Sequence, residues 1–418
     1  SLSRNLFLLP GKEVGQAEGA HGLSRRLGDT TGEKDVNRRQ AEEMCMNSRE
    51  RYLETLLFGK PDRIPIEPGE GRESTLRAWH EQGLPEDVGD ITGYAYREAG
   101  GGREYPGIRR EELPVDERMI PMFEEKVLER RERTQIVQDW KGNICEIGNE
   151  YTVEYLRNAI DFVTRRWIEC PVKTREDWEG MRRRYDADDP KRFPLEFGAA
   201  SGRLRERDSV VSMHISGPFW QMREWLGFEN LMLAFHDDPG LLKDMAAFWE
   251  EFMAALLEKT FRDFVPDEVE ISEDMAFKGF SMISPAMTRE FLLPSYMRWG
   301  EIIRKAGCPI YSMDCDGFIG ELIPIWMEAG MNATWPVEVA AGNDIVDFRR
   351  RFGRGMAYRG GVDKREMARG SPAIDEEIRR LGPVIEDGGF IPGCDHGVPS
   401  DISWPDFTYF VGLLADVT

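Results

Sequence analysis

The sequence has no run approaching the roughly 18 consecutive apolar residues of a membrane span. Its opening residues, Ser1-Leu2-Ser3-Arg4-Asn5, lack the long apolar stretch of a secretory signal. Both absences predict a cytoplasmic protein with no membrane partner. Cysteine is scarce: Cys45, Cys145, Cys170, Cys308, Cys315 and Cys394 are scattered over 418 residues, which excludes a disulfide scaffold and predicts reduced thiols. Positive charge is in deficit, with 55 Lys and Arg against 76 Asp and Glu and a formal net charge of -21. Such a surface repels phosphate backbones, so nucleic acid is not an expected partner. No Gly-x-Gly-x-x-Gly follows an early strand and no Walker-type phosphate loop occurs, which weighs against the nucleotide-binding open sheets.

What the chain has in quantity is material for a core. It is 41% hydrophobic, with 11 Trp and 22 Phe, unlike a disordered chain. Its length fits one α/β barrel, a fold of about 250 residues before insertions. Residues 1–45 are the exception. They are rich in Gly, Arg, Glu and Gln, and residues 1–43 hold seven basic and seven acidic side chains without apolar periodicity after Phe7-Leu8-Leu9. They read as a flexible N-terminal extension from an early start codon, followed by one barrel domain over residues 46–418.

Tyr52, Leu53, Leu56 and Leu57 recur at helical spacing, with Ser48 as the cap and Gly59 and Pro61 as the stop. A short strand, Ile64-Pro65-Ile66, leads into the loop Glu67-Pro68-Gly69-Glu70-Gly71. The second half then alternates. Strand Val210–Ile215 precedes a helix over 220–235 and a long helix after Pro239; strand Val269–Ser272 precedes a helix over 285–305; strand Pro309–Met313 precedes one over 319–328. Strands at Asn332–Trp335, Met356–Arg359 and Gly389–Pro392 precede helices over 345–351, 373–386 and 404–414. This alternation predicts parallel α/β architecture. A (β/α)8 TIM barrel with an N-terminal helical extension is the expected fold.

In such barrels the loops after the strands build the active site. Those segments carry His214 with Ser216-Gly217-Pro218-Phe219, Glu273-Asp274, Asp314-Cys315-Asp316-Gly317, Glu338, Gly360-Gly361-Val362-Asp363 and Cys394-Asp395-His396-Gly397. Singly, each reads equally well as a loop cap or ion-pair partner; together on one face they point to a site. Carboxylate, thiolate and imidazole are all competent zinc ligands, and a catalytic zinc takes about three of them with one open position. A metal-free site of acids and hydrogen bonds is the alternative. His214 sits in an apolar strand and reads equally as a core histidine, while His236, near Asp237-Asp238-Pro239, reads as a helix end or surface turn.

The run Asn47-Ser48-Arg49-Glu50-Arg51-Tyr52-Leu53, continued by Gly59-Lys60-Pro61-Asp62-Arg63-Ile64-Pro65, resembles the opening of the uroporphyrinogen decarboxylase superfamily. The resemblance continues through Ser216-Gly217-Pro218-Phe219, Ser284-Pro285 with Phe291 and Pro294, Asp316-Gly317, Gly360-Gly361-Val362-Asp363 and His396-Gly397-Val398-Pro399, over about residues 46–418. It implies a (β/α)8 barrel and one of two activities. These are cofactor-free decarboxylation of uroporphyrinogen acetates, and zinc-dependent methyl transfer between a corrinoid protein and a thiol or other carrier. The decarboxylases grip their substrate with an Arg-Gln-Ala-Gly-Arg run in the first active-site loop. Here that loop keeps Arg72 and Arg77 but adds Glu67, Glu70 and Glu73, which would repel an octa-anionic substrate. The methyltransferases hold zinc with a His-x-Cys pair and a later Cys. Asp314-Cys315-Asp316 stands at the first place and Cys394 at the second, with His396 available as a nitrogen ligand.

The resemblance therefore implies methyl transfer between a small methylated substrate and a corrinoid protein. Zinc or another divalent metal would be held by a subset of Glu273, Asp314, Asp316, Cys394 and His396, and the oxygen-rich set favours a methoxy or hydroxyl group. His396, Asp314 and Asp316 are the expected catalytic residues; Glu67, Arg72, His214, Phe219, Glu273 and Asp363 are expected to bind substrate. The assembly is expected to be a homodimer. Two alternatives stand: a metal-free decarboxylase or lyase with His396 handling a proton, and a non-catalytic ligand-binding barrel.

Overall fold

A computed structural model describes residues 46–157, 163–194, 197–198, 202 and 204–418. The extension expected over residues 1–45 lies outside them. The first helix, Ser48–Leu56, has Asn47 rather than Ser48 as its cap: the Asn47 side chain accepts from Glu50 N, and the Glu50 carboxylate accepts from Asn47 N. Ser48 serves the barrel instead, its Oγ accepting from Arg109 N at 2.8 Å and donating to Gly107 O at 3.3 Å.

In chain order the strands are β1 (Arg110–Glu112), an inserted antiparallel set β2 (Lys126–Arg130), β3 (Thr134–Gln138), β4 (Ile144–Gly148) and β5 (Arg166–Glu169), then β6 (Val210–Ser216) and β7 (Glu268–Ser272). A small hairpin, β8 (Ala276–Phe277) and β9 (Phe280–Ser281), precedes β10 (Ile310–Asp314), β11 (Ala333–Trp335), β12 (Ala357–Val362) and β13 (Phe390–Cys394). Seven strands lie parallel in the order β1-β6-β7-β10-β11-β12-β13. The eighth place belongs to residues 64–68. Ile66 N donates to Pro106 O at 3.1 Å on one side, and Cys394 N donates to Pro68 O at 3.0 Å on the other. Pro65 and Pro68 have no N–H to give, so this stave bonds too sparsely to form a regular ladder. Gly393 permits its close approach: a Cβ there would stand 2.1 Å from Glu67 O. The wall thus closes as a TIM barrel.

Side chains alternate along the staves. Val210, Ile310, Ala333, Ala357 and Ile391 point inward at the N-terminal end and pack on Tyr52 and Leu56 of the first helix. Tyr52 is fully buried; its hydroxyl donates to Glu268 Oε2 at 2.6 Å and accepts from Arg359 Nη1 at 3.0 Å. That helix seals the barrel floor. Outside, Leu242, Met245, Trp249, Phe252 and Leu256 of the helix Pro239–Asp263 enter the main core, as their spacing predicts.

Three helices differ from expectation. The one expected over 220–235 is two, Pro218–Leu226 and Phe228–Asp237, broken at Gly227 with φ 79°. The one over 285–305 divides at Leu292, two residues ahead of Pro294. The one expected from Ile319 starts at Ile323. The antiparallel insertion β2–β5 has no counterpart in the alternating pattern. No helix among the described residues is long and apolar enough to cross a membrane.

Candidate active site

The open end of the barrel gathers carboxylates. Asp274 follows β7, Asp314 ends β10 and Asp316 follows it, and each offers an oxygen within 4.8 Å of the other two. Asp274 sits in the left-handed region at φ 43°, and its Oδ1 accepts from Asp316 N at 3.1 Å. Ser272 Oγ donates to Asp314 Oδ2 at 2.6 Å. His396, after β13, places Nε2 3.2 Å from Asp316 Oδ2. Its Nδ1 receives Gly397 N at 2.7 Å and Arg72 Nη2 at 3.1 Å. Both partners are N–H donors, so Nδ1 is bare and Nε2 carries the proton that reaches Asp316.

This environment separates the three acids. Burial, then repulsion from Glu270 and Asp274, pushes Asp314 up to about 7. Burial and the neighbouring Asp316 raise Asp274. Asp316 moves the other way: burial opposes its charge, but the hydrogen bond from His396 prevails and lowers it. The cluster therefore sets an Asp316 held low beside two acids, Asp314 and Asp274, whose proton affinity is raised.

One layer below, acids and bases are matched. Arg359 reaches Glu67, Glu268 and Glu270 at 3.3, 3.5 and 3.7 Å, and Arg110 reaches Glu67 at 3.1 Å and Glu268 at 3.4 Å. His214 Nδ1 lies 3.3 Å from Glu270 Oε1, and Trp335 Nε1 donates to Glu270 Oε2 at 2.5 Å. Burial opposes charge on His214, but the hydrogen bond and charge of Glu270 prevail and hold it up to about 9. Burial likewise opposes charge on Glu270, and His214 with Arg359 prevails, holding it at about 2. The two form an ion pair.

Several expected site residues lie elsewhere. Glu273 points outward, fully buried, and accepts from Phe219 N at 3.3 Å, Trp220 N at 2.7 Å and the Tyr296 hydroxyl; it caps the helix Pro218–Leu226, and its neighbour Asp274 takes the place expected for it. Burial pushes Glu273 up to about 7. The Phe219 ring is in the main core. Cys394 pairs with Val362 in the ladder and faces the same outer core, where burial pushes its thiol up to about 12. Asp363 caps the short helix Lys364–Met367 and pairs with Arg365 at 2.7 Å. Asp314, Asp316, His396 and Arg72 meet at the open end, while Glu67 and His214 belong to the matched layer below. Asp274, given no role beyond its place in the Glu273-Asp274 segment, and Ser272, Glu270 and Arg359 are the participants that the sequence reading did not assign.

Three carboxylates are hard donors suited to a magnesium-, manganese- or calcium-like ion. Among the described residues no cysteine sulfur joins them, so the thiolate zinc set does not fit this site.

No known family profile and no curated protein matches the sequence. Among solved structures the chain is similar to a methyltransferase from Methanosarcina mazei, with a TM-score of 0.55 and 14% identity over 89% of this chain and 99% of that one. A B12-independent methionine synthase from Shewanella sp. W3-18-1 gives a TM-score of 0.35 and 10% identity over 52% of this chain and 64% of that one, too distant to bear on the fold. The first likeness is one of architecture, and it agrees with the closed wall of staves described above. The chain has a (β/α)8 TIM-barrel fold.

Proposed function

We propose that this chain is a methyltransferase that takes the methyl group from the oxygen of a small methoxy compound and passes it to a corrinoid protein at the barrel mouth. The observation that supports this reading is the convergence of Asp274, Asp314 and Asp316 at the open end. Oxygen ligands suit activation of an ether oxygen better than activation of a thiol. A hard divalent cation held by these three would supply Lewis acidity toward that oxygen. In the balanced reaction the C–O bond breaks with its electron pair on oxygen, the carrier's nucleophile takes the methyl, and the oxygen gains one proton. Within the chain, His396 holds Asp316 ionised, Gly397 N and Arg72 fix the ring, and Ser272 fixes Asp314.

A second reading, a metal-free carboxy-lyase, is favoured by the raised proton affinity of Asp314, which burial pushes up to about 7. There the electron pair left by departing carbon dioxide would take its proton from that acid. Metal analysis and an assay separate the two. The purified chain, supplied with manganese, should transfer methyl from methoxy compounds to free cob(I)alamin, and a chelator should abolish the transfer. Full activity after metal removal would exclude the first reading. In the same assay His396→Ala should lower turnover by about 10²-fold or more with little change in melting temperature; a melting loss with retained turnover would assign His396 to the scaffold.

A further inference from the structure

The barrel floor is sealed by Tyr52, yet three inward-facing charged side chains above it are part exposed: Glu67 at 30%, Arg110 at 28% and His214 at 30%. Among the described residues the wall surrounds these groups and the floor lies beneath them, so that exposure faces a chamber that opens toward the mouth. Arg359 and Glu268 stand behind them, at 7% and 1%, and Glu270 between, at 13%. The six form one contact network of three cations and three carboxylates. Above it, Glu117 is engaged by Ser216 N at 2.9 Å and Ser216 Oγ at 2.5 Å.

We infer that this chamber binds a small zwitterion, its carboxylate toward Arg110 and His214 and its cationic group toward Glu67 and Glu270. The argument is one of charge balance. A ligand of net charge would leave one buried charge without a counter-charge, and an uncompensated buried charge costs about 3–5 kcal/mol. An apolar ligand would strip water from Glu67, Arg110 and His214 and return no hydrogen bond. A molecule with two opposite poles meets neither cost, and the exposed groups offer it both signs within one chamber. Trp335, held by Glu270 and stacked 4.9 Å under Arg359, and the Tyr52 ring, 4.7 Å from Arg110, supply aromatic walls in this network. The inference supplies a substrate class for the methyl-transfer reading, on which it rests only for the choice of methoxy probes.

Calorimetric titration of the full chain with four methoxy compounds of similar size tests it. They are O-methylserine as the zwitterion, 3-methoxypropanoate as the anion, 2-methoxyethylamine as the cation and 2-methoxyethanol as the neutral molecule. The zwitterion should bind at least about tenfold more tightly than the other three, about 1.4 kcal/mol. Glu67→Gln leaves a surplus of positive charge and should move the preference toward the anion; His214→Gln leaves a surplus of negative charge and should move it toward the cation. Opposite movements in the two variants, each checked for native circular dichroism, support the chamber as the site. Equal binding of the anion or the cation in the wild type, or variants that leave the ranking unchanged, overturns it. Binding is read without turnover. A bound zwitterion that donates no methyl group would therefore overturn the methyl-transfer reading and leave the chamber's ligand class standing.

Discussion

Two layers of one barrel handle charge in opposite ways. In the lower layer Glu67, Glu268 and Glu270 are matched by Arg110, Arg359 and His214 within 3.1–3.7 Å. In the upper layer Asp274, Asp314 and Asp316 converge, with His396 the ring that meets them. Matched buried charges hold one another in place, and removing one leaves the others stranded. Burial and mutual repulsion raise the proton affinity of Asp314 and Asp274, while His396 holds Asp316 low. The lower layer is scaffold in its energetics, and the upper layer is poised for chemistry.

The largest expected effect breaks the lower layer. Arg359→Met deprives three carboxylates of a shared cation and should cost about 3–5 kcal/mol in urea unfolding; a loss below about 1 kcal/mol would mean that these charges do not depend on one another. The upper layer should answer oppositely. Asp314→Asn relieves repulsion and should leave unfolding unchanged or slightly improved, while turnover falls by about 10²-fold. Equal losses of stability in both variants would erase the distinction.

A third test uses the protons of the upper layer. Asp314, near 7, and the raised Asp274 must both be deprotonated to ligate a cation, so manganese affinity should climb by about tenfold per unit from pH 6 to 7 and level off above about 8. Calorimetry in buffers of different ionisation enthalpy would count the released protons, and a flat affinity would remove these acids from the ligand set.

The smallest effect is in the pH dependence of stability. Asp314 binds its proton more tightly folded than unfolded, so its contribution falls as pH rises from about 4 to about 7. His214 also has a raised folded value, and its contribution is complete below about 6.5 and is lost as pH rises through about 9. Asp314→Asn should flatten the acid-side decline and His214→Gln the alkaline one. Thermal melts from pH 4 to 10 would detect a shared window, which would merge the two layers into one titrating unit.

The order of strands and helices was legible in the sequence, because apolar runs alternate with amphipathic helices from Val210 onward. The site was half legible. Glu273 and Asp274 are adjacent, and only one can point inward; the alternation that puts Glu268, Glu270 and Ser272 inside assigns Asp274 to the interior and Glu273 to the helix layer. The same rule sends Asp314 and Asp316 inward and Cys315 outward, and Cys315 is fully buried against Met275 N. Cys394 follows its ladder partner Val362 outward. Treating each strand end as a cluster, rather than by its two faces, is what admitted Glu273 and Cys394. The matched lower layer was not legible, since Arg110 and Arg359 meet Glu268 only after closure brings together positions 158 and 91 residues apart. The insertion β2–β5 escaped because its strands are short, and every residue of the two edge strands is exposed.

The Tyr52 floor also fixes a sequence of events. A chamber that opens toward the mouth admits the small molecule while the mouth is clear, and a protein seated over it bars both entry and exit. In the proposed reaction the small substrate must therefore be first to arrive and its demethylated product last to leave. Steady-state kinetics should be compulsory-ordered, with the product competing only against the methoxy substrate for free enzyme. Excess carrier protein should trap the product in the chamber and slow turnover.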